Sequence, residues 1–149
     1  MREAETSVPD GRVAGMTEQT RHLGVSIDRP APDVYEWAAD PRHLTEWAPG
    51  LTSRVEQLDG RWFVWMGDDR VEFEFAPRNE FGVLDHRVTT PSGQVFDNPM
   101  RVIADGADRC DVVFTLRRSP GLTDAEFDRD AGLVSADLAR LKRIVEQRD

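Results

Sequence analysis

The segment Thr123 to Glu146, TDAEFDRDAGLVSADLARLKRIVE, carries Phe127, Ala131, Val134, Leu138, Leu141 and Val145 at intervals of four, three, four, three and four residues. That spacing puts one apolar stripe along a helix of about 3.6 residues per turn. Asp128, Arg129, Ser135, Arg140, Lys142, Arg143 and Glu146 fall on the other side and read as a solvated back. Thr123 followed three residues later by Glu126 has the form of a capping box, which closes the first turn by satisfying two orphan N–H groups. A long helix with a single apolar stripe needs a surface to lie on. The chain upstream has to supply it as a sheet.

Working back from the helix, residues 51 to 118 are punctuated by Asp59-Gly60, Gly67-Asp68-Asp69, Pro77-Arg78-Asn79, Pro91-Ser92-Gly93 and Asp105-Gly106. Each is a turn signal, and six strands fit between them. Val71, Phe73 and Phe75 alternate with Arg70, Glu72 and Glu74. Likewise Leu84, His86 and Val88, then Phe96, Asn98, Met100 and Val102, then Val112, Phe114 and Leu116 form inward rows at period two. Further upstream, Leu23, Val25 and Ile27 alternate with polar residues as a first strand ending at Arg29-Pro30. Two short helices follow. One has Pro32 and Asp33 in its first turn, and the other is capped by Asp40 and opened by Pro41. Residues 1–20 lack an apolar period and read as a flexible leader, leaving residues 21–149 as a single domain. The architecture expected is α+β: a curved antiparallel sheet of seven strands wrapped around the long C-terminal helix, with two short helices after strand 1.

Composition narrows the partners. A formal net charge of -9 disfavours nucleic acid and anionic membrane surfaces, since binders of phosphate backbones gather Lys and Arg. One cysteine, Cys110, allows no internal disulfide, and no apolar run reaches the roughly 20 residues needed to span a bilayer. No secretion-signal pattern opens the chain, so the expected location is cytoplasmic. His22, His43 and His86 do not recur at metal-ligand spacing, and no Gly-rich phosphate loop is present, so neither a metal nor a cofactor is expected.

Four pieces together resemble one superfamily: Ile27-Asp28-Arg29-Pro30, Asp33-Val34-Tyr35-Glu36-Trp37, Ala39-Asp40-Pro41 and Leu44-Thr45-Glu46-Trp47. In this order, ahead of a meander and a C-terminal helix, they are similar to the START, polyketide cyclase and Bet v 1-like superfamily, with its helix-grip fold, and to the polyketide cyclase/dehydrase-like branch in particular. The resemblance covers about residues 21 to 146. It implies an apolar cavity between helix and sheet that takes lipid-like, polyketide-like or other cyclic hydrophobic molecules. It does not imply one chemistry, because the superfamily holds carriers, cyclases and protein-interaction modules.

On that reading Phe73, Phe75, Leu84, His86, Phe96, Asn98, Met100, Phe114 and Leu138 are the expected ligand contacts. His86 and Asn98 are the polar breaks in the inward rows and the two candidates for catalysis. A lone His or Asn on an inner face also serves as an ordinary hydrogen-bonded core residue. Pro99 beside Asn98 signals a bulge or edge. The strand Arg61 to Met66 is apolar on both sides, and its Phe63 and Trp65 face calls for a cover, for which a homodimer is the expected partner. The leading expectation is binding of a hydrophobic small molecule. A cyclase or dehydratase, and a chaperone-activator-like interaction module, are the alternatives.

Overall fold

The computed structural model describes residues 19–50 and 52–148. The leader expected over residues 1–20 lies almost wholly outside them, and Thr20 already belongs to the first strand. The chain runs β1 (Thr20–Ile27), α1 (Ala31–Ala38), a 3-10 turn (Pro41–His43) leading directly into α2 (Leu44–Trp47), β2 (Val55–Leu58), β3 (Arg61–Met66), β4 (Asp69–Phe75), β5 (His86–Thr89), β6 (Val95–Asn98), β7 (Met100–Asp105), β8 (Arg109–Arg117) and α3 (Asp124–Glu146). The helix-grip architecture is present. The strands, however, number eight in two antiparallel sheets, β1-β8-β7 and β2-β3-β4-β5-β6, where one sheet of seven strands was expected.

The reason for the extra strand is Pro99. With no N–H to donate, it cannot continue a ladder, and the expected strand from Val95 to Ile103 breaks there into β6 and β7. The preceding segment changes sheets at the same level. Val83 bridges Arg101, the Leu84 N–H bonds to the Met100 carbonyl, and from His86 onward the chain pairs with β4 and β6. Asp85 is the staple at this corner. Its side chain accepts from the Met100 N–H and from Arg101, and its carbonyl accepts from the Ala76 N–H. The Arg101 guanidinium holds the Asp85 carboxyl below its ordinary range.

The turns follow the local chemistry. Asp59 and Gly60 both take positive φ, 54° and 77°, as a two-residue hairpin turn with the primed geometry requires. Pro77-Arg78-Asn79 opens a longer loop instead of a hairpin. There the Asn79 side-chain Oδ1 accepts from the Phe81 and Val83 N–H groups, and the Asn79 main-chain N–H donates to the Tyr35 hydroxyl.

Helix α3 starts at the expected capping box, with Thr123 accepting from the Glu126 N–H and Glu126 from the Thr123 N–H. All six residues of its stripe are buried. It lies mainly on β1 of the three-stranded sheet, touching β8 less, with α2 against its middle, where Gly50 meets Asp137. Since it rests on the three-stranded sheet, the five-stranded sheet curls away from it. A hollow is left between them.

Candidate functional site

The hollow is a cavity of about 330 Å³. Its floor is the concave face of the five-stranded sheet. Phe73, Val88 and Phe96 stand opposite one another across β4, β5 and β6, and Phe75, His86 and Asn98 form the next row. Its other walls are Phe114 and Leu116 of β8, Leu44 and Trp47 of α2 with Ala48 just after it, and Leu133 and Val134 of α3. The exposed apolar residues of the lining are Met66 at 44%, Leu133 at 40% and Phe96 at 37%, and they mark the mouth, near the β3-β4 and β5-β6 hairpin tips. Arg117, Ser119 and Asp130 add a polar lip. The Phe75, His86 and Asn98 row closes the far end.

His86 is the group with the most chemistry. Its Nδ1 lies 3.1 Å from the Leu84 carbonyl oxygen, which can only accept, so Nδ1 carries the proton and Nε2 of the neutral ring is left as an acceptor. Phe73 stacks on the ring at 5.1 Å, with Phe75 at 5.8 Å and Phe114 at 5.6 Å around it. With 7% of its surface exposed, the ring is desolvated, and burial pushes its pKa below the ordinary 6.5. It is therefore a neutral hydrogen-bond acceptor at pH 7. Asn98 sits directly across from it on β6. Neither the His86 Nε2 nor the Asn98 amide has a hydrogen-bond partner among the described residues.

Of the residues expected from sequence as ligand contacts, Phe73, Phe75, His86, Phe96, Asn98 and Phe114 line this cavity. Leu84, Met100 and Leu138 do not. All three are essentially inaccessible and pack into the solid core instead, because the change of sheet at Asp85 and Pro99 takes Leu84 and Met100 out of the cavity rows. Sequence reasoning missed the contribution of α2, although Leu44 and Trp47 at three-residue spacing signalled an apolar face there. It also missed Thr52, a buried hydroxyl that donates to the Arg54 carbonyl and accepts from the Trp65 N–H, pinning the segment after α2 against β3.

Asp137 was missed as well. Although it lies within α3 among solvated positions, it is 2% exposed and accepts from the Gly50 N–H and from Arg140. Burial raises its pKa. Its Oδ2 and the Trp47 Nε1 are buried without partners among the described residues.

The Phe63 and Trp65 face is covered from within the chain. Arg70 and Arg61 lie over the Phe63 ring at 4.2 and 5.5 Å, and Arg54 lies over Trp65 at 4.3 Å. Glu72 and Glu56 hold these arginines by ion pairs. The guanidinium groups of these arginines cover the rings for which a second subunit was expected, so these aromatics do not by themselves call for a dimer. The chaperone-activator reading loses its patch for the same reason.

Cys110 is buried, and burial with Asp111 beside it pushes its thiol up to about 11, which makes it an inert core thiol. Among the described residues no three His, Cys, Asp or Glu side chains are gathered to hold a metal, and no helix is long and apolar enough to cross a membrane.

Comparison with known proteins agrees with this geometry. A START superfamily protein from Mycobacterium smegmatis aligns over 87% of this chain and 99% of its own, with a TM-score of 0.65 at 12% identity. Zhui aromatase/cyclase from Streptomyces sp. R1128 aligns over 87% and 95%, with a TM-score of 0.54 at 22% identity. Norcoclaurine synthase from Thalictrum flavum aligns over 88% and 95%, with a TM-score of 0.61 at 15% identity. At these identities the likeness is one of fold. No curated protein matches the sequence. The family described as polyketide cyclase/dehydrase and lipid transport matches residues 16–146, nearly the whole chain, and the protein belongs to it.

Proposed function

We propose that the protein binds a small hydrophobic ring compound in the cavity between α3 and the five-stranded sheet, with a hydroxyl or enol of the ligand donating to the Nε2 of His86. The observation that carries this reading is the pairing of an apolar cavity with an unpartnered acceptor at its closed end. A cavity of 330 Å³ lies at the small end of ligand sites and holds on the order of 15 non-hydrogen atoms, enough for two or three fused rings. Long-chain lipids exceed it. Asn98, opposite His86, can accept from or donate to a carbonyl or hydroxyl on the same ring edge.

A second reading is favoured by the state of His86. A neutral imidazole with its tautomer set by a backbone carbonyl is a competent general base, and beside Asn98 it could take a proton from carbon next to a ketone and promote ring closure or loss of water. The similarity to Zhui aromatase/cyclase supports this reading in class, without fixing a substrate.

The test of binding is a fluorescence titration with 2-naphthol and with naphthalene, which differ by the donating hydroxyl. Both should bind at one site per chain, and the hydroxyl should tighten binding by about fivefold, the worth of one net hydrogen bond of about 1 kcal/mol. In His86→Phe that ratio should fall to about one. Absence of binding by both compounds would remove the reading, and an unchanged ratio in His86→Phe would remove His86 from it.

A further inference from the structure

A second hollow lies behind the first. At the corner where the chain changes sheets, a polar cleft of about 380 Å³ opens on the far side of the Phe75, His86 and Asn98 row, and the same three residues line both spaces. Its lining carries Glu74, Asp85, Arg87 and Asp97, with Ala76, Pro77 and Pro99 between them. The opening has a structural cause. Phe75 with His86 and His86 with Asn98 are the last pairs of their ladders, Pro99 has no N–H with which to extend the second, and the chain then leaves for the other sheet. Ion pairs between Arg87 and Asp97, and between Asp85 and Arg101, both at 2.9 Å, hold the walls of the gap. Glu74 stands across from Arg87.

We infer that this row is a septum between two compartments and that the cleft is a rear solvent port, through which water reaches the His86 ring while an apolar ligand fills the cavity in front. The two sides differ in kind: behind its polar lip the front is lined mainly by Phe, Val and Leu, while the rear carries four charged side chains together with Ala76, Pro77 and Pro99. A ligand seated in the cavity plugs the mouth at Met66, Phe96 and Leu133, and without a second route the imidazole would be cut off from solvent. With the port, a proton taken up at Nε2 makes the ring an imidazolium, and the base is restored when that same Nε2 proton passes to cleft water, Nδ1–H staying on the Leu84 carbonyl. The occupant of the cleft is therefore water, and the port serves exchange of protons and of small products such as water. The role for the ligand rests on the binding reading above. The port itself does not, since it can be measured on free protein.

The measurement is deuterium exchange at the Cε1–H of the histidine rings, resolved by mass spectrometry of peptides, with His22 and His43 as internal controls. Rates are taken at their pH plateau, so that a change in His86 protonation is not mistaken for a change in access. Ala76→Trp fills the cleft, and Leu133→Trp obstructs the mouth. Ala76→Trp is expected to slow His86 exchange by about fivefold or more while leaving His22 and His43 unchanged, and Leu133→Trp to leave His86 within about twofold of the parent. Should Ala76→Trp fold poorly by circular dichroism, Ala76→Leu gives the same reading with a smaller step. The opposite pattern, or no slowing of His86 by the cleft substitutions, overturns the port. Failure of 2-naphthol to bind would leave this result standing, so the two ideas fail separately.

Discussion

Replacing His86 by Phe should change how stability depends on pH, by an amount set by the surroundings of the ring. In the folded chain the ring is enclosed by three phenylalanines and bonded through Nδ1 to the Leu84 carbonyl, and burial holds its pKa below 6.5. In the unfolded chain it titrates near its ordinary 6.5. Above that value neither state takes a proton there, and the residue adds no pH dependence. As pH falls below it, the unfolded state binds a proton that the folded state refuses, so stability is lost until the depressed folded value is reached. The ceiling is about 1.4 kcal/mol per pH unit, so between pH 7.5 and 5.5 the parent should lose up to about 1.3 kcal/mol through this group. For a chain of this size that is roughly 3–5 °C in Tm. His86→Phe fills similar space and lacks the titration, so its Tm should fall less over the same interval. Asp137, whose shift has the opposite sign, and the paired carboxylates other than Asp85 are common to both proteins and cancel in the difference; Asp85, which lies in the field of His86, is followed by its own titration in the two proteins. Thermal melts at several pH values give the two slopes. A direct NMR titration of the His86 Cε1–H resonance covers the case of a poorly folded variant. Equal slopes together with a midpoint at or above 6.5 would refute the account of a desolvated, neutral imidazole.

Further expectations concern the scaffold. Gly82 and Gly106 have nearly the same φ, 74° and 73°, but an added Cβ at Gly82 would run into the Val102 carbonyl oxygen while one at Gly106 meets nothing. Gly106→Ala should therefore cost about 1 kcal/mol, and Gly82→Ala about 3 kcal/mol or more, since it also dislodges the bond from the Val102 N–H to the Gly82 carbonyl. Chemical denaturation reads both, and equal costs would mean that the loop does not approach β7 as described. Thr123→Ala removes half of the capping box and should lower stability by about 1 kcal/mol, or 2–4 °C. Arg70→Ala uncovers Phe63 and should cost about 0.5–1 kcal/mol. Sedimentation should then reveal new self-association. A variant that stays as monodisperse as the parent would show that the arginine is not the cover.

The helix stripe from Phe127 to Val145, the capping box and the glycine turns were legible in sequence because each depends on neighbours within a few residues. So was the facing of His86 and Asn98, which follows from period two along strands that remain intact at those points. What period two could not show was where a strand leaves one sheet for another. Leu84 and Met100 share a parity with His86 and Asn98, but the crossings at Asp85 and Pro99 put them in a different layer. Pro99 was visible as an anomaly. Its consequence depended on the long-range pairing of β7 with β8. The cover over Phe63 and Trp65 was illegible for a related reason. Arginines read as surface charges in sequence, and only the register of β2, β3 and β4 brings their guanidinium groups over the rings. Asp137 sits one residue before Leu138 of the stripe and is buried because the turn at Gly50 docks on it, a contact from far along the chain.

The division of the strands into two sheets also divides the chain by how far its contacts reach. In the five-stranded sheet every pairing joins strands that follow one another in sequence, so it can form or loosen as a run of local hairpins. The other sheet joins the first strand to the last, and its pairing has to close most of the chain into a loop before it gains anything. With α3 fastened to that second sheet, the cavity lies along the seam between a locally wired half and a globally wired one. Amide protons of β3 to β5 should accordingly exchange by smaller openings than those of β1 and β8. Swinging the hairpins outward would then widen the mouth of the cavity while the long helix stays docked, so the protein can breathe along this seam without the cost of global unfolding.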